Sequence, residues 1–132
     1  MTLKVSIVTP ARSVLVGEYH EILAPSVLGE VGILPMHRPL LADLKAGELV
    51  LKNETKAQRM VVTGGFLEVA DDTLIILAES AEWVDDIDVG KVKAELLEAE
   101  ANLRGVDANN PIYAYNQAII GKAHARLQAV EN

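Results

Sequence analysis

Leu3, Val5 and Ile7 alternate with Lys4 and Ser6, the two-residue period of a strand with one buried face. Thr9-Pro10-Ala11-Arg12 turns the chain, and Val14 to Leu23 predicts a second strand, bent at Gly17. Gly47-Glu48-Leu49-Val50-Leu51 runs to a polar turn at Lys52-Asn53-Glu54, and Gln58 to Thr63 returns. Phe66–Ala70 and Thr73–Ala78 flank Asp71-Asp72, which predicts a tight hairpin turn. Short strands at this spacing point to a β-sandwich or a barrel.

The pattern changes near Glu82. From residue 88 to 104 the chain is made of good helix formers, Gly90 apart. Val89, Val92, Leu96, Ala99 and Leu103 recur at three-four spacing along one face. Asp88 is the expected N-cap and Gly105 the expected stop. Lys91 with Glu95, and Glu100 with Arg104, stand four apart and predict pairs on the wet face. Asn109-Asn110-Pro111 restarts a helix whose stripe is Tyr113, Ile120, Ala123, Leu127 and Val130. Ala118, Gly121, Ala125 and Ala129 keep its other faces thin. The expectation is a helical hairpin too small to hold a core of its own, so it docks on something or alternates between partners.

With 132 residues the chain suits one domain with an appendage. Half of it is hydrophobic and only 4% aromatic, so the core must be aliphatic. A formal charge of -7 argues against nucleic acid, which is held by clustered Lys and Arg. The absence of cysteine excludes disulfide and thiol chemistry. Met1-Thr2-Leu3-Lys4 enters a strand without a signal-peptide pattern, and no apolar run is long enough to span a membrane, so direct membrane insertion is not expected.

One run breaks the strand pattern: Gly29-Glu30-Val31-Gly32-Ile33-Leu34-Pro35-Met36-His37-Arg38-Pro39-Leu40-Leu41. Pro35 and Pro39 remove two amide donors, so no regular ladder passes through both. This predicts a fixed, irregular corner between strands, a kind of segment that often presents a contact surface. No catalytic constellation stands out. His20, His37 and His124 are scattered and no pair has metal-ligand spacing; His37, between the two prolines, reads as a structural histidine holding its loop. Gly64-Gly65 lacks the spacing and the Lys-Ser/Thr of a phosphate loop and points to close packing or a strand bulge. Asp85-Asp86-Ile87-Asp88 reads as a solvated linker ending in a cap. The chain is not expected to be an enzyme by itself.

The corner resembles the signature loop of the epsilon subunit of F-type ATP synthases, with the pattern G-E-x-G-I-L-P-x-H-x-P-L-L. Gly64-Gly65-Phe66-Leu67-Glu68-Val69 followed by Thr73–Ala78, and Asp86-Ile87-Asp88 at the head of the tail, match in the same order. The resemblance implies an α+β, mainly β, fold: an N-terminal β-sandwich over residues 1–84, then a regulatory antiparallel two-helix hairpin over 85–132. It implies a non-catalytic stalk subunit that couples proton translocation to ATP synthesis by linking the gamma subunit to the c-ring, peripheral to the cytoplasmic side of the plasma membrane, with the thylakoid as the less favoured alternative. Glu30 is placed by it at the c-ring surface, with Val31 and His37 nearby.

In several bacterial members of that family the tail binds ATP through Ile/Leu-Asp-x-x-Arg-Ala and basic residues of the second helix. Here Ile87 and Asp88 match, Lys91 stands at the arginine position and Val92 at the alanine; Lys122 and Arg126 supply the second-helix charges. Lysine lacks the planar fork that grips phosphate in two places, and Glu98 adds an acid, so weak ATP binding or none is expected and no other cofactor. Inhibition of ATP hydrolysis is attributed in the family to the extended tail reaching the catalytic alpha and beta subunits, here through Lys122 and Arg126. From Ile87 onward the chain has five bases against six acids, and before it seven against thirteen. A near-neutral tail predicts mild, salt-sensitive inhibition. A nucleotide-sensing module, with the hairpin as its pocket, is the alternative; an enzyme on a β-sandwich lacks any nucleophile or acid–base pair to support it.

Overall fold

The computed structural model describes all 132 residues, and its contacts divide them into two units, Met1–Trp83 and Val84–Asn132. The first unit is a sandwich of two five-stranded sheets. One sheet has the order β2-β1-β9-β8-β5, formed by Ser13–Tyr19, Leu3–Val8, Thr73–Leu77, Phe66–Ala70 and Leu40–Asp43. The other has the order β10-β7-β6-β3-β4, formed by Ser80–Trp83, Ala57–Thr63, Gly47–Lys52, Glu21–Ser26 and Gly29–Ile33. Neighbours are antiparallel except β1 and β9, which run parallel in register from Lys4↔Thr73 to Val8↔Leu77.

Alternation explains the core. Leu3, Val5 and Ile7 of β1, Leu67 and Val69 of β8, and Leu74 and Ile76 of β9 are buried from one sheet. Ile22, Ile33, Leu49, Leu51, Met60 and Val62 face them from the other. The core is aliphatic, as the composition requires, with Tyr19 its buried aromatic residue and Trp83 partly buried against it. Tyr19 lies on β2 and its hydroxyl donates to Gln58 Oε1 of β7 at 3.0 Å, a polar tie from one sheet to the other. Burial pushes the Tyr19 phenol above its ordinary pKa, because ionisation would place a charge away from water.

Three sequence expectations change. Val14–Leu23 is two strands, and the break falls at His20 rather than at Gly17. There the chain crosses between sheets: Gly17 stays paired with Val5, whereas Glu21 pairs with Lys52. The corner is less irregular than its glycines suggest. Gly29–Ile33 is a regular strand, in register with β3 from Ile22↔Ile33 to Ser26↔Gly29. Finally, Ser80–Trp83 adds a tenth strand, pairing with β7.

Gly64-Gly65 is explained by close packing. Gly65 has φ 91°, and a Cβ there would lie 1.8 Å from the Leu77 carbonyl oxygen. Gly65 also accepts Leu44 N–H at 2.9 Å, so this backbone is wedged between β5 and β9. Asp71 and Asp72 both have positive φ, 51° and 58°, the pattern of the primed turn expected for a two-residue hairpin loop.

The second unit starts with a single 3₁₀ turn, Val84–Asp86, followed by α1 (Val89–Asn102) and α2 (Pro111–Glu131). Asp88 caps α1 by accepting Lys91 N–H at 3.1 Å, and Asn110 caps α2 by accepting Ile112 N–H at 3.0 Å. Asn102 meets Asn116, and Glu95 meets Arg126, so partner numbers fall on one helix as they rise on the other. The hairpin is antiparallel.

Candidate functional site

Two places carry the residues singled out by the sequence: the corner after β4 and the hairpin. At the corner, Leu34-Pro35-Met36-His37 closes a β-turn in which His37 N–H donates to Leu34 carbonyl at 3.1 Å. Pro35 occupies the second position, where a φ near -65° is wanted. Met36 occupies the third with φ 67°, where a type II turn favours glycine. A side-chained residue in that region costs about 1–2 kcal/mol, so the surroundings must hold it. Met36 N–H donates to the Asp72 carboxylate, Oδ1, at 2.5 Å. The His37 ring donates from Nδ1 to the Arg38 carbonyl at 2.6 Å, which fixes the ring and its tautomer.

Glu30 is exposed on the edge strand β4, opposite Pro25 of β3. Val31 has the opposite orientation. Its side chain is partly buried against the core and supports the strand from beneath. His37 is half-buried. The most exposed apolar side chains at this edge are not among the contact residues singled out by the sequence. Leu28 is 96% exposed and Met36 77%, with Val27 and Leu34 also exposed. Leu28 sits in a built turn: Ser26 Oγ donates to Gly29 carbonyl at 2.6 Å and accepts Leu28 N–H at 3.2 Å. A leucine held rigidly in water is a contact signal; burial decides its meaning, and the sequence does not state burial.

In the hairpin, Val92, Ala99, Ala123 and Ala129 are buried, with Asn116 only 3% exposed. The seam of α2 is therefore rotated from the predicted stripe: Asn116 and Ala129 take part and Val130 is exposed. Asn116 is satisfied there, since its Nδ2 donates to Ile112 carbonyl at 2.9 Å and its Oδ1 accepts from Asn102 at 3.3 Å. The pairs predicted along α1 do not form. Glu95 turns across the hairpin to Arg126, Oε2 to Nη1 at 3.2 Å.

A cleft of about 350 Å³ opens between the helices beside this pair. Lys122 and Arg126 line it from α2, but Ile87, Asp88 and Lys91 do not, and Glu95 and Glu98 contribute to its lining from α1. The Asp88 side chain is engaged as a helix cap, and Lys91 is exposed. The structure thus splits the five residues implied as an ATP set. A triphosphate in the cleft would meet two acids, and it would have to compete with Glu95 for Arg126. These residues do not fit a nucleotide triphosphate in this arrangement.

Comparison with known proteins gives the frame. Residues 2–84 match the family model described as ATP synthase, delta/epsilon chain, beta-sandwich domain. The "ATP synthase epsilon chain 1" of Syntrophotalea carbinolica is 41% identical over 126 residues, 96% of this chain and 91% of that one. The epsilon chain of Dehalococcoides mccartyi is 40% identical over 129 residues, 98% and 92% of the two chains. Among solved structures, a chain of the Euglena gracilis mitochondrial ATP synthase superposes with a TM-score of 0.85 at 22% identity, covering 99% of this chain and 82% of that one. A chain of the central stalk and c-ring structure of the Tetrahymena thermophila enzyme gives 0.68 at 20% identity, covering 98% and 97%. At such identities the superpositions speak for the fold, and the curated relatives speak for the family. Sandwich, corner motif and near-full-length identity agree: the chain belongs to the epsilon-chain family of ATP synthases.

Proposed function

We propose that this chain is a non-catalytic rotor-stalk subunit, which joins the gamma subunit to the c-ring through its sandwich and restrains ATP hydrolysis through its hairpin. The supporting observation is the corner. It is the part of the sequence that carries the family motif, and the fold spends specific bonds to hold it in one shape while leaving Glu30, Leu28 and Met36 exposed. A rigid edge with exposed apolar and acidic side chains suits a contact that transmits torque, because a soft contact would dissipate it.

The hairpin supports a brake set by its own charges. Arg126 lies against Glu95 in the closed form, so it meets an acidic surface of the catalytic alpha and beta subunits only after that pair parts. The attachment is peripheral, on the cytoplasmic side of the plasma membrane, and no helix is long and apolar enough to cross a membrane. The test is reconstitution of a complex lacking this subunit, followed by proton pumping and co-purification with gamma and c-ring. Restored pumping by the chain, weakened by Glu30→Ala with Leu28→Ser, is expected. Pumping that recovers fully without the chain would overturn the proposal. Titration of the isolated chain with ATP separates the sensor reading, since saturation at micromolar nucleotide would favour it.

A further inference from the structure

We propose that Asp72 is a positioning residue for the corner, holding it in its contact geometry from the neighbouring β8–β9 turn; this rests on the reading of the corner as a rotor contact. Three observations meet at this residue. Its carboxylate accepts Met36 N–H, the amide that the Leu34–His37 turn does not itself use. Its own carbonyl accepts Lys4 N–H at 2.8 Å, which ties the turn to β1. Its φ of 58° belongs to a tight hairpin loop between two fully paired strands, β8 and β9.

Asp72 therefore has an anchored backbone, and its side chain reaches the one residue of the corner whose backbone region disfavours a side chain. Met36 lacks the freedom of glycine, and the carboxylate compensates by binding its amide with a charge-assisted bond. Beyond Met36, Leu40 opens β5, which pairs with Val69 of β8, so the second half of the corner is referred to the sheet that carries Asp72, while its first end, β4, belongs to the other sheet. The device couples the shape of a contact surface to a hairpin turn some 36 residues away in sequence.

The experiment uses the full chain with four variants: Asp72→Asn, Asp72→Gly, Met36→Gly, and the last two combined. Asparagine keeps the acceptor, glycine keeps the backbone angle without it, and glycine at 36 removes the need for it. Amide exchange at residues 36 and 37 is read first, then protons pumped per ATP in the reconstituted complex, alongside Glu30→Ala/His37→Ala. Asp72→Gly should speed exchange about tenfold and lower pumping, with Asp72→Asn within about twofold of the unaltered chain. The combined variant should regain slow exchange at His37 and regain pumping. Unchanged exchange in Asp72→Gly overturns the proposal. So does faster exchange with full pumping, provided Glu30→Ala/His37→Ala lowers pumping, and there the rotor-contact reading survives. Full pumping in Glu30→Ala/His37→Ala would instead sink the contact reading and the positioning role with it.

Discussion

Replacing Glu95 by glutamine tests how the hairpin is held. In the closed form Arg126 Nη1 lies 3.2 Å from Glu95 Oε2, and the Arg126 side chain is only 13% exposed, against 42% for Glu95. An exposed pair contributes about 0.2–1 kcal/mol, whereas breaking a buried one costs about 3–5 kcal/mol, mostly for the stranded charge. This pair lies between those limits, nearer the exposed one because Glu95 is wet. A loss of about 1–2 kcal/mol follows, which shifts the closed-to-open ratio about 5- to 30-fold. The rest of the seam cannot absorb that, since Ala99, Ala123 and Ala129 bury little area and Asn116 only breaks even. Amide exchange across α1 and α2 should accelerate by the same factor. If the hairpin is the proposed brake, hydrolysis by the reconstituted complex should fall, because Arg126 loses its tie to Glu95. Unaltered exchange in Glu95→Gln would refute the latch; faster exchange with unaltered hydrolysis would refute its link to the brake.

Other outcomes follow from the sandwich. Gly65→Ala forces a Cβ to within 1.8 Å of the Leu77 carbonyl at φ 91°, and should destabilise by about 3–5 kcal/mol, seen as a large drop in melting temperature. Gly105→Ala, at φ 72° in open space, should cost only about 1 kcal/mol in the same melt. Tyr19→Phe removes the bond to Gln58 and should cost about 1 kcal/mol at neutral pH. The folded phenol has a raised pKa, so its contribution is complete below about pH 10 and disappears as pH rises through the folded value. Denaturant midpoints of the two proteins should converge at alkaline pH; a constant gap would argue against the burial effect. Leu28→Ser should leave the melt unchanged, as the side chain is 96% exposed, while weakening co-purification with the c-ring.

Much of the sandwich was legible because one face of each strand must be buried. Leu3-Val5-Ile7 and Leu74-Ile76 alternate cleanly, and the structure buries those residues. The crossing at His20 was not legible, since β2 has exposed or half-exposed positions up to Tyr19 and the chain switches sheets at His20 without a glycine or proline there. Strand β10 escaped because all four of its residues are half-buried, leaving no alternation to detect. In the hairpin, Asn116 lies outside the apolar stripe read from the sequence. It is buried because Asn102 and the Ile112 carbonyl satisfy it, a partnership that depends on the second helix. The same cause hid the latch: Glu95 had a local partner in Lys91 by spacing, but the fold gave it a better-shielded one in Arg126. For the corner, the sequence carried the motif, while its clamp came from Asp72, whose approach is a tertiary matter.

The most direct measurement is ATP hydrolysis by a complex lacking this subunit, after adding the full chain or a version ending at Asp85. Both should bind and both should restore coupled pumping, and only the full chain should slow hydrolysis. Equal hydrolysis with the two versions would contradict the hairpin as brake, and failure of the shorter one to bind would contradict the sandwich as anchor.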